Sequence, residues 1–139
     1  MFRVAHNAGR LVEVRTVSPL SSDEIAQAEV SMVDAVHVAR QAVVVCADYR
    51  KLTVLPARQA DEFVAMFRRH NLNIEVSAII VAPTSAIAVL QIERVISEAD
   101  CPNRKCFRST SKAIDWLRPH LSPSEDLRLR AFLATDDDR

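Results

Sequence analysis

The residues best placed to do chemistry follow two short apolar runs, residues 42–47 and 76–82. An acid, a phenol and a guanidinium come directly after the first run, and two hydroxyls follow the second. Open α/β sheets hold ligands just beyond the carboxyl ends of parallel strands, and the free amides at a helix start can hold an anion. An ordinary turn and an ordinary helix cap are the competing interpretation. The candidate ligand- or partner-binding residues are Asp48, Tyr49, Arg50, Thr84 and Ser85.

No pattern for covalent catalysis or metal binding accompanies these residues in the sequence. A nucleophile needs an adjacent base, but there is no G-x-S-x-G segment and no cysteine has a histidine within a few residues. The four histidines show no metal-ligand spacing. Cys101 and Cys106 frame a loop and are interpreted as reduced thiols, with a local disulfide or redox pair as the alternative. We predict no catalytic residue, no metal, no cofactor and no enzymatic activity.

Composition excludes several classes of function. Gly9 is the single glycine, whereas GxGxxG and P-loop motifs need several glycines to approach a phosphate. The 18 basic and 18 acidic residues balance, so no net field attracts nucleic acid. No apolar stretch approaches the roughly 20 residues of a membrane span, and the N-terminus alternates, unlike a secretory signal. We predict a cytoplasmic protein that binds no nucleic acid and is not integral to a membrane.

Alternation and apolar runs indicate the elements that position the candidate residues. Residues 2–6 and 11–17 alternate with period two around a turn and predict a β-hairpin. Residues 42–47 and 76–82 are β-branched apolar runs, which predict neighbouring inner strands covered on both faces. A weak strand follows at residues 105–108.

Helix signals lie between and after these strands. Ser21 and Glu24 fit a capping box, a second helix follows Pro56, and Thr84 is the predicted cap of a third helix. A fourth helix opening at residues 110–111 carries Trp116, which we expect to be a buried core anchor, and a short terminal helix begins at residues 122–125.

Together these elements predict an α/β fold. The expected architecture is a five-stranded mixed, mostly parallel sheet with an N-terminal β-hairpin and flanking helices, in the order ββαβαβαβα plus a short C-terminal helix. We expect the helices to pack mainly on one face of the sheet. The expected division is an α/β domain at residues 1–120, followed by a C-terminal helix and acidic tail at residues 121–139.

One segment near the end resembles a known family. Residues 104–108 (RKCFR), followed by residues 113–117 (AIDWL), look like the closing strand and A-x-x-W-L helix of the STAS-like domains. These domains are named after the sporulation anti-sigma-factor antagonists and are related to the CRAL-TRIO lipid-binding fold. The resemblance covers residues 2–118 and implies this α/β fold with a role in interaction.

The sequence departs from the signalling members of that family at the second helix. Those members carry an Asp-Ser pair and a glycine just before this helix, and the serine is phosphorylated. The matching residues 54–58 (VLPAR) contain no hydroxyl, carboxylate or glycine. The resemblance therefore transfers no functional residue.

We expect a non-enzymatic regulatory or scaffolding protein that binds a protein partner or a second copy of itself. The contact surface is expected at an exposed strand edge or on the terminal helix, which carries Leu127, Leu129 and Phe132.

The alternative function is a carrier or sensor of a small apolar, lipid-like ligand. Its pocket would lie between the sheet and the helices that bear Phe63, Phe67 and Ile87.

Overall fold

The computed structural model describes residues 1–135, and the acidic run 136–138, predicted to be a frayed tail, lies outside the described residues. The elements follow the predicted order, so the α/β class and its topology are confirmed. The strands are β1 (Phe2–Ala8), β2 (Leu11–Val17), β3 (Val43–Lys51), β4 (Ile74–Val81) and β5 (Arg104–Phe107). The helices are α1 (Ser22–Ala39), α2 (Ala57–His70), α3 (Ala86–Ala99), α4 (Thr110–Leu117) and α5 (Pro123–Ala134).

The five strands form one sheet in the spatial order β1-β2-β3-β4-β5. The hairpin strands β1 and β2 are antiparallel, and β2, β3, β4 and β5 are parallel neighbours. The two apolar runs therefore form adjacent inner strands, as predicted, and every residue from Val43 to Tyr49 is buried. The crossover helices α1, α2 and α3 cover only one face of these strands, so burial of the other face needs further helices.

Helices cover both faces of the sheet. The helices α1, α2 and α3 pack against one face, where Val43, Val45 and Ala47 of β3 point. The helices α4 and α5 cover the other face, which includes Val44 and Cys46. The expectation that helices pack mainly on one face is wrong, because the short last helices bring enough apolar side chains to bury the second face.

Capping boxes define two of the helix starts. In α1, Ser21 Oγ accepts from Glu24 N at 3.1 Å and Ser21 N donates to Glu24 Oε1 at 3.0 Å, so the predicted capping box is confirmed. Ser122 and Glu125 form the same box at α5. The predicted cap at Thr84 is wrong, because the N-cap residue of α3 is Ser85, and its side chain makes no capping bond.

Several apolar side chains lie differently from expectation. Trp116 is half-buried rather than a buried anchor. Ile87 is 61% exposed and does not face the sheet. On α5, Leu129 and Phe132 are buried in the core and only Leu127 is exposed, so this helix does not present its leucines as a surface.

Among the described residues, no helix combines the length and apolarity needed to cross a membrane.

Candidate functional site

The first candidate group lies inside β3 rather than beyond its end. The strand continues to Lys51, so Asp48, Tyr49 and Arg50 alternate between the two faces of the sheet. Tyr49 points into the core under α1–α3 and is 2% exposed, and burial raises the pKa of its phenol. The prediction that these residues leave the strand is wrong, because Asp48 pairs with β2 and both Asp48 and Tyr49 pair with β4.

Asp48 is the centre of a buried ion-pair network on the opposite face. Its carboxylate accepts from Arg15 Nε at 3.2 Å, from Arg50 Nε at 2.8 Å and from Arg50 Nη2 at 2.9 Å. Burial acts to raise the pKa of Asp48, but the side-chain and backbone hydrogen bonds from Arg50, with the charges of Arg50 and Arg15, outweigh it and lower that pKa. We name Arg15, Asp48 and Arg50 the arginine clasp.

The arginine clasp also holds the end of α5. Arg15 Nη2 donates to the carbonyl of Phe132 at 3.0 Å, and Arg50 Nη2 donates to the carbonyl of Leu133 at 3.3 Å. The last carbonyls of a helix lack intrahelical partners and carry partial negative charge. These contacts give Asp48 and Arg50 a structural task, which is to attach α5 to the sheet.

The second candidate group lies at the start of α3. Thr84 is exposed and Ser85 is half-buried. Within residues 1–135, no hydrogen bond or ion pair joins these hydroxyls to the arginine clasp. The structure therefore does not bring the two predicted groups into one bonded site.

A third place, which sequence analysis did not select, combines a cavity with a buried charge. Arg104 is 3% exposed, and its guanidinium carbon lies 4.3 Å above the centre of the Phe67 ring. Its Nη1 donates to Asn71 Oδ1 at 2.8 Å, while its Nη2 has no hydrogen-bond partner within residues 1–135. The side chain lines an apolar cavity of about 40 Å³ between the sheet, α1 and α2. We name this the Arg104 cavity.

The Arg104 cavity has a second polar wall residue. Ser77 of β4 is paired directly with Arg104 of β5, so both side chains leave the same face of the sheet. A serine inside the apolar run 76–82 was the one sequence signal for this place. Arg104 itself gave no signal, because an arginine at the start of a weak strand is normally exposed.

Two histidines lie within hydrogen-bond distance of carboxylates. His70 Nε2 lies 2.9 Å from Glu29 and His120 Nδ1 lies 2.7 Å from Glu75. The described residues contain no group of three or more histidine, cysteine, aspartate or glutamate side chains that could hold a metal ion. The three cysteines are free thiols, with Cys46 buried.

Comparisons with protein-family models, curated proteins and solved structures found no match to this chain. The structure itself defines the class of protein. It is an α/β protein with one mixed five-stranded sheet between two helical layers.

Proposed function

We propose that this chain is a non-enzymatic regulatory or scaffolding protein that acts by binding another protein or a second copy of itself. The observation that best supports this function is a group of exposed apolar side chains on α3 and on the loop before α2. Val54 is 53% exposed, Ile87 61% and Leu90 68%. We name these three residues the α3 patch.

The α3 patch is held in place by hydrogen bonds. The side chain of Gln91 donates to the carbonyl of Leu55 at 2.5 Å and accepts from its backbone N–H at 2.8 Å. Ile87 lies one turn before Gln91 on the same flank of α3, and Val54 directly precedes Leu55, which Gln91 binds. Single exposed apolar side chains are common, but apolar side chains grouped at one place are typical of interaction sites.

The distribution of exposed apolar residues favours the same side of the molecule. Of the eight large hydrophobic residues that are exposed within residues 1–135, seven lie in the α1–α3 layer or its loops, and Leu127 alone lies on α5. The β5 edge of the sheet is less suited to a partner strand, because β5 has four residues and includes Lys105, and charged side chains discourage edge pairing. Three of the seven lie on α1 and three form the α3 patch. We propose the α3 patch as the contact surface because Gln91 fixes its loop by hydrogen bonds.

The carrier of a lipid-like ligand gains no support from the cavity between the sheet and the helices. That cavity is about 40 Å³, whereas sites for drug-sized ligands are roughly 300–1,000 Å³. Ile87, expected to line the pocket, is exposed. We do not propose lipid transport.

We also propose that the chain is related to the STAS-like domains and that it is cytoplasmic. The kinship is supported by the order of elements and by residues 104–108 and 113–117. The proposed contact loop includes Val54, within the stretch that departs from the phosphorylated segment of signalling members. An exposed contact loop without the phosphorylated segment favours a protein that binds its partner without control by phosphorylation.

The test replaces Ile87 and Leu90 together by aspartate and measures association by light scattering over a range of concentrations, together with affinity capture from the native host. The matched control is Leu127→Asp, an equally exposed residue on the opposite helical layer. We expect the double variant to lose self-association or one specific partner that the control retains. A monomer at every concentration that captures the same proteins in all three forms would overturn the proposal.

A further inference from the structure

We propose that the Arg104 cavity binds a small organic carboxylate, with the carboxylate on Arg104 Nη2 and a short carbon chain against the apolar wall. The cavity shares no lining residue with the α3 patch. This inference therefore goes beyond the proposed protein contact, and either proposal can fail without the other.

The charge at this place is the first argument. The guanidinium of arginine stays protonated in proteins, and burial without a counter-charge is costly. The contacts of Arg104 are neutral groups, the amide oxygen of Asn71 and the ring of Phe67. An anion bound at the unpartnered Nη2 would supply the counter-charge that residues 1–135 do not place there.

The walls of the cavity are the second argument. Apart from Arg104, its polar lining consists of Tyr49, His70 and Ser77, and the rest is apolar. His70 is already bonded to Glu29 at 2.9 Å. A ligand must therefore combine one anionic group with an uncharged apolar part, and a carboxylate matches the planar fork of a guanidinium.

The volume sets the length of the ligand. A single water needs roughly 10–15 Å³ of such space, so a cavity of about 40 Å³ has room for about three or four groups of that size. Formate and acetate fit this limit, and a long fatty acid does not. The half-buried residues Phe2 and Val4 of β1 and Met32 of α1 form the outer wall, so we expect entry between β1 and α1.

The experiment titrates the full chain with sodium formate, acetate and hexanoate, and with sodium chloride at equal ionic strength. A ligand that binds only the folded state raises the melting temperature. At about ten times its dissociation constant, acetate should raise it by roughly 3–5 °C relative to chloride, and hexanoate should not. An equal rise in chloride, or a larger rise in hexanoate, would overturn the carboxylate assignment.

Three variants test whether the response to acetate arises at the Arg104 cavity. Arg104→Met should fold, because it removes an unpaired buried charge, and should lose the response to acetate. Arg108→Gln removes one positive charge from an exposed position four residues later and should keep the response. Ala28→Leu fills the cavity while retaining Arg104 and should also lose it. A response to acetate that persists in Arg104→Met or in Ala28→Leu contradicts the site.

A measurement on the unaltered chain keeps the proposal falsifiable if these variants do not fold. The backbone amide resonances of Ser77 and Arg104 should shift with acetate and reach saturation, whereas chloride leaves them in place. Saturating shifts confined to other parts of the chain, or no shift at all, would reject binding at this cavity.

Discussion

Gly9 links the hairpin to a helix more than a hundred residues later. It adopts a left-handed conformation with φ of 50°, and an added Cβ would overlap the carboxylate of Glu125. That buried carboxylate accepts from the backbone N–H of Arg10 at 2.6 Å and from that of Ser122 at 2.7 Å. One glycine therefore permits both the hairpin turn and the docking of the α5 start against it.

We expect Gly9→Ala to lower the free energy of unfolding by about 2–4 kcal/mol. Left-handed backbone costs a non-glycine residue about 1–2 kcal/mol, and displacing a buried, charged hydrogen-bond acceptor costs about as much again. Urea denaturation measures the change. In a Glu125→Ala background the same substitution should cost only the backbone part, and equal costs in both backgrounds would contradict the contact.

Trp116 contributes through partial contacts. Its Nε1 donates to the carbonyl of Ser77 at 3.4 Å, Lys105 Nζ lies 4.6 Å from the ring centre, and its ring centre lies 6.3 Å from that of Phe107. Because the side chain is half-buried, we expect Trp116→Ala to cost about 1–3 kcal/mol, below the 3–5 kcal/mol range of a fully buried aromatic. The neighbouring Leu117 is completely buried, so Leu117→Ala should cost more in the same chemical melt; the reverse order would contradict this ranking.

Burial of single polar residues is the part of the candidate sites that the sequence could not predict. Asp48 and Arg50 were selected from their place after an apolar run, but an aspartate can also remain in a strand when arginines neutralise it. One of those partners, Arg15 on β2, is far away in sequence. Arg104 was missed for the same reason, since its burial depends on Phe67 and Asn71 of other elements.

At the scale of elements, the arginine clasp joins two strands to one helix. Arg15 belongs to β2, and Asp48 and Arg50 belong to β3. Arg15 and Asp48 are both more than nine-tenths buried. Removing one partner of such a buried pair costs about 3–5 kcal/mol.

We therefore expect Asp48→Asn to destabilise the protein by about 3 kcal/mol at neutral pH, as measured by urea denaturation. The exposed Asp34→Asn is the matched control and should change stability by less than about 0.5 kcal/mol. Equal stability of the two variants would show that the clasp does not stabilise the fold.

The pKa of Asp48 also predicts a pH dependence. Because folding lowers this pKa, its stabilisation is fully present above the unfolded value of about 4 and is lost as the pH falls through the folded value. Glu29 and Glu75 also have lowered pKa values, so some dependence remains in any variant. Between pH 5 and pH 2.5, the unaltered chain should lose more stability than Asp48→Asn does; parallel curves would contradict this assignment.

Elements whose signals are local were predicted more closely than those that depend on neighbours. The capping box of Ser21 and Glu24 was predicted because both partners lie within one turn. The end of β3 was placed too early, because its last residues are polar and stay in the strand only through pairing with β2 and β4. The single-face arrangement of helices was wrong because α4 and α5 are short, and their apolar content alone does not show what they cover.

At the scale of the whole molecule, α5 completes the second face of the sheet. Its Leu129, Phe132 and Leu133 share a core cluster with Cys46 of β3 and Leu11 of β2. The helix is attached at its start by the Glu125 contact with the hairpin and at its end by the arginine clasp. These contacts at both ends predict that α5 unfolds together with the sheet.

The thiol of Cys46 reports this coupling. It is completely buried in the cluster that α5 closes, burial raises its pKa, and only an exposed thiolate reacts readily. We expect maleimide labelling of Cys46, followed by mass spectrometry, to follow the same urea curve as circular dichroism. The half-buried Cys101 and Cys106 should react at lower urea.

Leu129→Ala distinguishes coupled from independent unfolding of α5. Leu129 has no exposed surface, so its truncation should cost about 2–5 kcal/mol. If α5 and the sheet unfold as one unit, the labelling and dichroism midpoints should fall by the same amount, and the exposed Leu127→Ala should shift neither. Labelling of Cys46 that begins well below the dichroism midpoint in Leu129→Ala would mean instead that α5 detaches from a sheet that stays folded.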